Sequence, residues 1–199
     1  MTAYADVSVG LDTLGVMHPH WYAASHDIQR RVISHFIYLL NLESATPIAS
    51  PVSPTSPLSA FEAEVNDTFS PHDIAAILRW GLRHVQLDGD SLGTDGGWYK
   101  AFLEAEGTAG YPPKAFSDKL APLLPTAHLQ LLTATLEIFS SLAAHAECNG
   151  TSGSKLCKIF GLWLLTAHRV EDKDDWQTFY AKWERTGRML EHLFLSRIR

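Results

Sequence analysis

The sequence predicts an all-α domain, because apolar residues recur at helical spacing along most of the chain and no stretch alternates strictly as a strand does. The clearest stretch runs from residue 149 to 168. It opens with a turn signal at Asn149 and Gly150, since asparagine can bond its own backbone and glycine tolerates positive φ. A helix with a wide apolar face follows, and we predict that other helices pack around it. The residues of that face are Leu156, Ile159, Phe160, Trp163 and Leu164.

The composition fits one globular domain over residues 1–199 and argues against several classes of function. With 46% hydrophobic residues, the chain is long enough to bury a core. Its net charge of −6 disfavours nucleic acid as a partner, and also a basic patch that would bind anionic membranes. Residues 1–10 lack the features of a signal peptide, and no stretch reaches the roughly 20 apolar residues of a membrane span. We therefore expect a cytoplasmic protein without a transmembrane segment.

The cysteines and acidic clusters do not indicate a metal site. Cys148 and Cys157 are predicted to be free, buried thiols, with a disulfide between them as the alternative. No cysteine and histidine spacing matches a zinc site. The loop predicted at residues 87–97 is acidic but lacks the order and the terminal glutamate of a calcium loop. The prediction is therefore no metal and no cofactor.

Two helices are predicted in the first half of the chain. The first begins at residue 25 or 27 and runs to about residue 42. The second begins at Ser70, where a serine cap, a proline in the first turn and Asp73 near the positive end of the helix dipole form a strong start signal. Between them, residues 44–60 contain four prolines, so a flexible Pro/Ser-rich loop is predicted there.

A pair of cations marks the second of these helices. Arg79 and Arg83 lie four residues apart, on the side opposite its apolar residues. One interpretation is a basic face exposed to solvent, and the other is a face that meets an acidic partner.

The second half is predicted to contain a short helix at residues 98–106, one or two helical turns at 115–120, and three longer helices. Thr126 is the predicted cap of the first long helix, which runs to about residue 145 or 148. The central helix follows after a short turn, so these two should be antiparallel neighbours. Ser152 or Ser154 is its predicted cap, and Gly161 is expected to let a neighbouring helix come close.

The last helix is predicted to open after an acidic segment at residues 172–175, which suits the positive end of its dipole. Aromatic and aliphatic residues at helical spacing predict its inner face. They are Trp176, Phe179, Tyr180, Trp183, Met189, Leu190 and Phe194.

No recognised catalytic motif occurs in the sequence. The phosphate-binding patterns GxGxxG and GxxxxGK[ST], the nucleophile elbow GxSxG and the zinc motif HExxH are all missing. Five histidines within predicted helices are interpreted as surface or hydrogen-bonded core residues rather than bases. They are His35, His128, His145, His168 and His192.

Three blocks, in order and at suitable spacing, resemble the core helices of RhoGAP domains. His72–Gln86 is similar to the family's second core helix, Leu129–Asn149 to the long helix that ends in asparagine, and Ser154–Leu165 to the helix with the pattern N-L-A-x-x-F-G-P-x-L. The closer resemblance, over about 130 residues, is to the fungal RhoGAP-like domain of the multicopy budding-suppressor and meiotically up-regulated polarity proteins. The features that carry it are Leu78–Trp80, Ala143–Gly150, Gly153–Leu156 with Gly161 and Trp163, and Trp176 with Trp183.

This resemblance implies a RhoGAP-like helical bundle and a docking face for a GTPase. In RhoGAP domains an inserted arginine accelerates GTP hydrolysis by about 10³–10⁵. The matching region here, residues 41–51, holds no arginine, and Arg30 and Arg31 lie on a predicted helix instead. Arg79 and Arg83 stand where the family has a lysine and an arginine that face the GTPase switch regions. We therefore expect no catalytic residue.

The resemblance also assigns partner-binding positions. Besides the two arginines, they are Asn149, which ends the long helix, and Lys155, which replaces the asparagine of N-L-A. The predicted function is a non-catalytic, GAP-like scaffold that binds Rho-family GTPases or other polarity proteins in polarised fungal growth, with recruitment to the cell cortex. Two alternatives stay open: an active GAP with an unconventional arginine, and a helical interaction domain that binds no GTPase.

Overall fold

A computed structural model describes residues 10–18, 23–44, 57–68, 70–84, 97–165 and 175–198. Within these ranges every regular element is a helix and no strand occurs, so the all-α prediction is confirmed. The chain divides into two compact units, residues 1–81 and 82–199. The RhoGAP type of bundle and a single domain over residues 1–199 stay predictions.

Three helices of 10 residues or more lie in the described part of the first unit. They are α1 (His26–Ser44), α2 (Pro57–Asn66) and α3 (Pro71–His84), the last three residues of which belong to the second unit. The starts of α1 and α3 agree with the sequence prediction. The helix α2 was not predicted, because prolines precede it closely.

The predicted loop at residues 44–60 is wrong at its end. Residues 57–60 are helical, since proline fits the first position of a helix, where its missing N–H has no intrahelical partner anyway. The rest of that loop, residues 45–56, and most of the predicted loop at 87–97 lie outside the described residues.

The three helices of the first unit meet through aromatic and polar contacts. Phe36 packs against Phe61 and Trp80, with ring centroids 5.7 and 6.3 Å away. Asp73 was predicted to stabilise the helix dipole, and its buried carboxylate also accepts a hydrogen bond from the Ser25 backbone N–H at the start of α1. A tertiary bond therefore adds to the local one.

The described residues of the second unit form five α-helices and a short irregular segment. The helices are α4 (Gly97–Thr108), α5 (Thr126–Ala144), α6 (Ala146–Asn149), α7 (Gly153–Leu165) and α8 (Trp176–Ile198). A π-helix (Phe116–Leu120) and a 3-10 turn (Ala121–Leu123) join α4 to α5.

Two predicted helix caps had different outcomes. Ser152 does cap α7, because its Oγ accepts from the Lys155 N–H at 3.3 Å. Thr126 is not a cap: Pro125 takes that position and Thr126 is already helical. Asp175 caps α8 by accepting from the Thr178 N–H at 2.7 Å.

The core of the second unit lies where α5, α7 and α8 meet. Phe139 of α5 packs on Phe160 of α7, with their centroids 5.0 Å apart, as expected of antiparallel neighbours. Leu156, Leu190 and Leu193 are fully buried beside them.

The predicted close approach at Gly161 is confirmed. A Cβ added there would lie 2.6 Å from the Thr186 carbonyl oxygen and 2.8 Å from the Gly187 nitrogen, so the backbones of α7 and α8 nearly touch. A Cβ added at Gly187 would likewise lie 3.2 Å from the Cα of Lys158. The two helices can therefore lie this close because Gly161 and Gly187 have no side chains.

The predicted inner face of α8 is wrong at its beginning. Trp176 is 76% exposed and Tyr180 50% exposed, whereas Leu190 and Phe194 are buried. Gly161 lies opposite residues 186–187, and α7 ends four residues later, at Leu165. The first turns of α8 thus extend past the described end of the helix that buries its later turns.

Candidate partner-binding site

The cation Arg83 and the helix α7 are brought together by the fold. The exposed Arg83 places its guanidinium carbon 5.9 Å from the centre of the Trp163 ring, within the range of a cation–π contact. Trp163 is itself held edge-on by Phe160, at 5.5 Å between ring centroids. A partially exposed aromatic side chain therefore orients a charge without neutralising it.

A second cation lies near the start of α7. The exposed Lys155 donates through Nζ to the carbonyl oxygen of Gly150, at 2.9 Å. Gly150 has a φ of 72°, in the left-handed region that glycine enters without strain, and this ends α6. The turn between α6 and α7 thus positions the ammonium group of Lys155.

Asn149 organises this turn from the inside. Its side chain is fully buried, donates to the Leu142 carbonyl oxygen at 2.8 Å and accepts from the Thr151 N–H at 2.7 Å. The sequence prediction made Asn149 a partner-binding residue. Its position indicates an indirect part in any such binding, through the shape of the Gly150 turn.

The two cations lie along one side of α7. Lys155 and Trp163 are eight residues apart, which corresponds to about 12 Å along a helix and a rotation of about 80°. We call Arg83, Trp163 and Lys155 the α7 cationic face. None of its three residues is a nucleophile or a carboxylate.

Arg79, the fourth predicted residue, belongs to the first unit. It is half-buried and donates from Nη1 to the carbonyl oxygen of His18. Burial lowers the pKa of Arg79, although a guanidinium keeps its charge at neutral pH. Part of its donor capacity is therefore used within its own unit.

The two arginines considered as unconventional catalytic groups both have carboxylate partners in the first unit. Arg31 pairs with Glu64 of α2 through its Nε. Arg30 lies 3.8 Å from Asp27, one helical turn earlier. The region predicted to match the family's arginine loop, residues 41–51, lies mostly outside the described residues.

A polar cluster between α4 and α8 was missed by the sequence analysis. The fully buried Glu106 lies 2.9 Å from His192 Nε2 and accepts from the Ser196 hydroxyl at 3.1 Å. The other nitrogen of His192, Nδ1, is 3.2 Å from the Tyr99 hydroxyl. Burial, and then the charge of Glu106, raises the pKa of Tyr99. Because Glu106 and Ser196 are ninety residues apart, no local pattern pairs them.

Two further features of the described residues bear on the site. No group of three or more metal-ligating side chains comes together in this part of the chain. Among the described helices, none is long and apolar enough to cross a membrane.

The comparison with protein families identifies the chain's relatives. The family model of the meiotically up-regulated protein Msb1/Mug8 domain matches residues 63–199, more than half of the sequence. The chain belongs to the Msb1/Mug8 family. Membership suggests a role in polarity and morphogenesis, and the matched range contains all four predicted partner-binding residues. No curated protein matches the chain.

Proposed function

We propose that this Msb1/Mug8 domain is a non-catalytic, GAP-like scaffold that binds a Rho-family GTPase during polarised growth at the cell cortex. The observation that carries the proposal is the contact of Arg83 with Trp163 on α7. This contact joins two of the sequence blocks that resemble RhoGAP helices. Its cation, Arg83, forms no ion pair with a described residue.

Electrostatics supports an anionic partner for this face. Arg83 and Lys155 are both exposed, and the contacts that hold them are a ring and a carbonyl oxygen, neither of which removes a full charge. Cations of this kind increase association rates and select partners of opposite charge. A GTPase surface with exposed carboxylates near its switch regions has that chemistry.

The contacts of three arginines support a non-catalytic domain. Acceleration of GTP hydrolysis needs a guanidinium free to enter the nucleotide site. Arg30 and Arg31 have carboxylate partners, and Arg83 lies against Trp163. The α7 cationic face therefore suits docking better than chemistry.

Binding is tested with the full chain and Rho-family GTPases loaded with GDP or a GTP analogue. We expect Arg83→Glu with Lys155→Glu to weaken binding at least about tenfold, because each change places a carboxylate against an anionic surface. Arg79→Glu with Arg83→Glu is the second variant, and it tests the predicted pair on α3. Unchanged affinity in both variants would mean that the α7 cationic face does not bind the GTPase.

A matched control keeps the change of charge but moves it elsewhere. Arg30 and Lys114 are exposed and lie on neither α3 nor α7, so Arg30→Glu with Lys114→Glu should bind like the unaltered chain. Equal loss in the control would indicate an effect of net charge alone. Thermal unfolding of each variant separates lost binding from lost folding.

Catalysis is tested by single-turnover GTP hydrolysis. We expect the full chain to accelerate hydrolysis by less than about tenfold. Acceleration of about a hundredfold or more would contradict a non-catalytic domain and favour the alternative of an active GAP. No binding to any GTPase in either nucleotide state would leave the helical interaction domain as the better description.

A further inference from the structure

A second basic surface lies between α4 and α8. A groove of about 440 Å³ opens there, and its cations are Lys100, Arg185 and Arg188. Glu184 is the one acidic residue among those that line it. The groove therefore has a net positive charge, in a chain with a net charge of −6.

Two of the three cations are available to a partner. Glu184 pairs with Arg188 at 2.6 Å, one turn along α8. Lys100 and Arg185 are exposed and form no ion pair with a described residue. They come from different helices, so they place positive charge on both sides of the groove.

The floor of the groove is apolar. Leu103 is 41% exposed within it, and the buried Met189 lies beside it. An exposed leucine between cations suits an apolar side chain flanked by acidic ones. Inorganic phosphate or a small charged metabolite would leave this floor uncovered.

One wall of the groove is held rigidly from behind. Tyr99 lines the groove, its hydroxyl contacts His192, and its ring packs edge-on against Trp98 with centroids 5.9 Å apart. His192 is in turn fixed by the buried Glu106. A wall already ordered before binding loses less conformational entropy when a partner docks.

The groove is separate from the α7 cationic face. The residues of α8 that contact α7 include Glu191 and Phe194, which meet Ser154 and Gly153. Arg185, Arg188 and His192 point to other sides of the helix, because each residue turns the direction by about 100°. The second unit therefore carries cations on two different sides.

We propose that the groove between α4 and α8 binds an acidic peptide segment of a second protein, with an apolar anchor side chain over Leu103 and carboxylates or phosphates at Lys100 and Arg185. Cations on both sides of an exposed apolar side chain favour an acidic peptide that carries an apolar residue, and binding of a lipid surface is an alternative outcome of the test. A domain with this groove could hold a second protein independently of a GTPase.

The test uses the full chain and a fluorescent synthetic peptide in which leucine and phenylalanine are flanked by glutamates and aspartates. We expect micromolar binding that weakens with added salt, because exposed charges are screened. Lys100→Glu with Arg185→Glu should weaken it at least about tenfold. The same peptide with lysines in place of its acidic residues, or alanines in place of its apolar ones, should bind much more weakly.

Controls separate this proposal from the GTPase proposal. Arg30→Glu with Lys114→Glu changes the net charge equally and should leave peptide binding unchanged, as should Arg83→Glu with Lys155→Glu. GTPase binding, measured in parallel, should tolerate the groove variant. Any of three results would overturn the groove: no binding of the acidic peptide, equal loss in the control variants, or binding of phosphatidylserine vesicles through Lys100 and Arg185 without peptide binding.

Discussion

Two different kinds of contact hold the helix α8, one on the side of α7 and one on the side of α4. Towards α7 the contact is backbone against backbone, with Gly161 opposite Thr186 and Gly187. Towards α4 it is a buried polar cluster, in which Glu106 binds His192 and Ser196. One contact needs the absence of side-chain atoms, whereas the other needs every polar partner to be present. Adding a methyl group should damage the first, and deleting a carboxylate should damage the second.

The largest expected effect is the loss of the buried carboxylate. Glu106→Ala should lower the free energy of unfolding by about 2–5 kcal/mol, because it empties the space of a fully buried side chain and leaves the buried Ser196 hydroxyl without its acceptor. Urea unfolding of the full chain measures this. Glu106→Gln keeps an acceptor oxygen and should cost less. Glu104→Ala, at an exposed site on the same helix, should stay within about 0.5 kcal/mol of the unaltered chain.

Adding atoms to the glycine contact should have a smaller effect. Gly161→Ala forces α7 and α8 apart, because the new Cβ meets backbone that cannot rotate away, and we expect a loss of about 1–3 kcal/mol. Gly81→Ala is the matched control, since a Cβ there meets nothing within 4 Å. In a helix that change should be neutral or stabilising by up to about 1 kcal/mol. Equal effects at both positions would mean that the two backbones are not in contact.

Removing one hydroxyl from the polar side should cost less again. Tyr99→Phe loses the contact with His192, and for a half-buried hydrogen bond we expect about 0.5–1.5 kcal/mol. Tyr111→Phe, at a site 62% exposed, should show no measurable change in urea unfolding. If Tyr99→Phe also behaves like the control, the phenol does not belong to the cluster that holds α8.

The smallest expected effect concerns the thiol of Cys157 on α7, and it is measured by chemical labelling rather than by unfolding. Burial, and then the charge of Glu191, raises the pKa of Cys157 on α7 to about 12, whereas Cys148 is exposed. A thiol reagent should therefore modify Cys148 quickly and Cys157 only in urea, as mass spectrometry of the digested protein would show. Rapid labelling of Cys157 in the folded chain would indicate that α7 and α8 separate readily.

The same thiol predicts a pH dependence at alkaline pH. Because the pKa of Cys157 is raised in the folded chain, the unfolded thiol ionises first. The free energy of unfolding should then fall as the pH rises from about 9 to 12, and Cys157→Ala should remove this part of the slope. A slope identical in both chains would contradict the burial of this thiol.

The helical spacing of apolar residues predicted the helices well, because that signal lies within one turn or two. It failed where neighbours decide the outcome. Trp176 and Tyr180 have the spacing of an inner face but are exposed, and they lie beyond the described part of α7, which covers the later turns of α8. Both cysteines were predicted to be buried thiols and both are free, but only Cys157 is buried.

The candidate site divides in the same way. Sequence alone indicated Arg83, Lys155 and the turn at Asn149, because the family resemblance depends only on the order and spacing of residues. It did not indicate that the Asn149 side chain points inward, or that Lys100 and Arg185 share a groove. Those facts depend on how separate helices pack.

By itself, the sequence determined that this chain is helical, where most of its helices lie, that a serine at 152 or 154 caps α7, and that Gly161 permits a close neighbour. All of these depend on interactions between residues a few positions apart or on the size of one side chain. Only the tertiary structure decided which aromatic residues are covered, and that Glu106 meets Ser196 across ninety residues. Contacts over such distances in the chain have no local pattern, since they form only once the helices have packed.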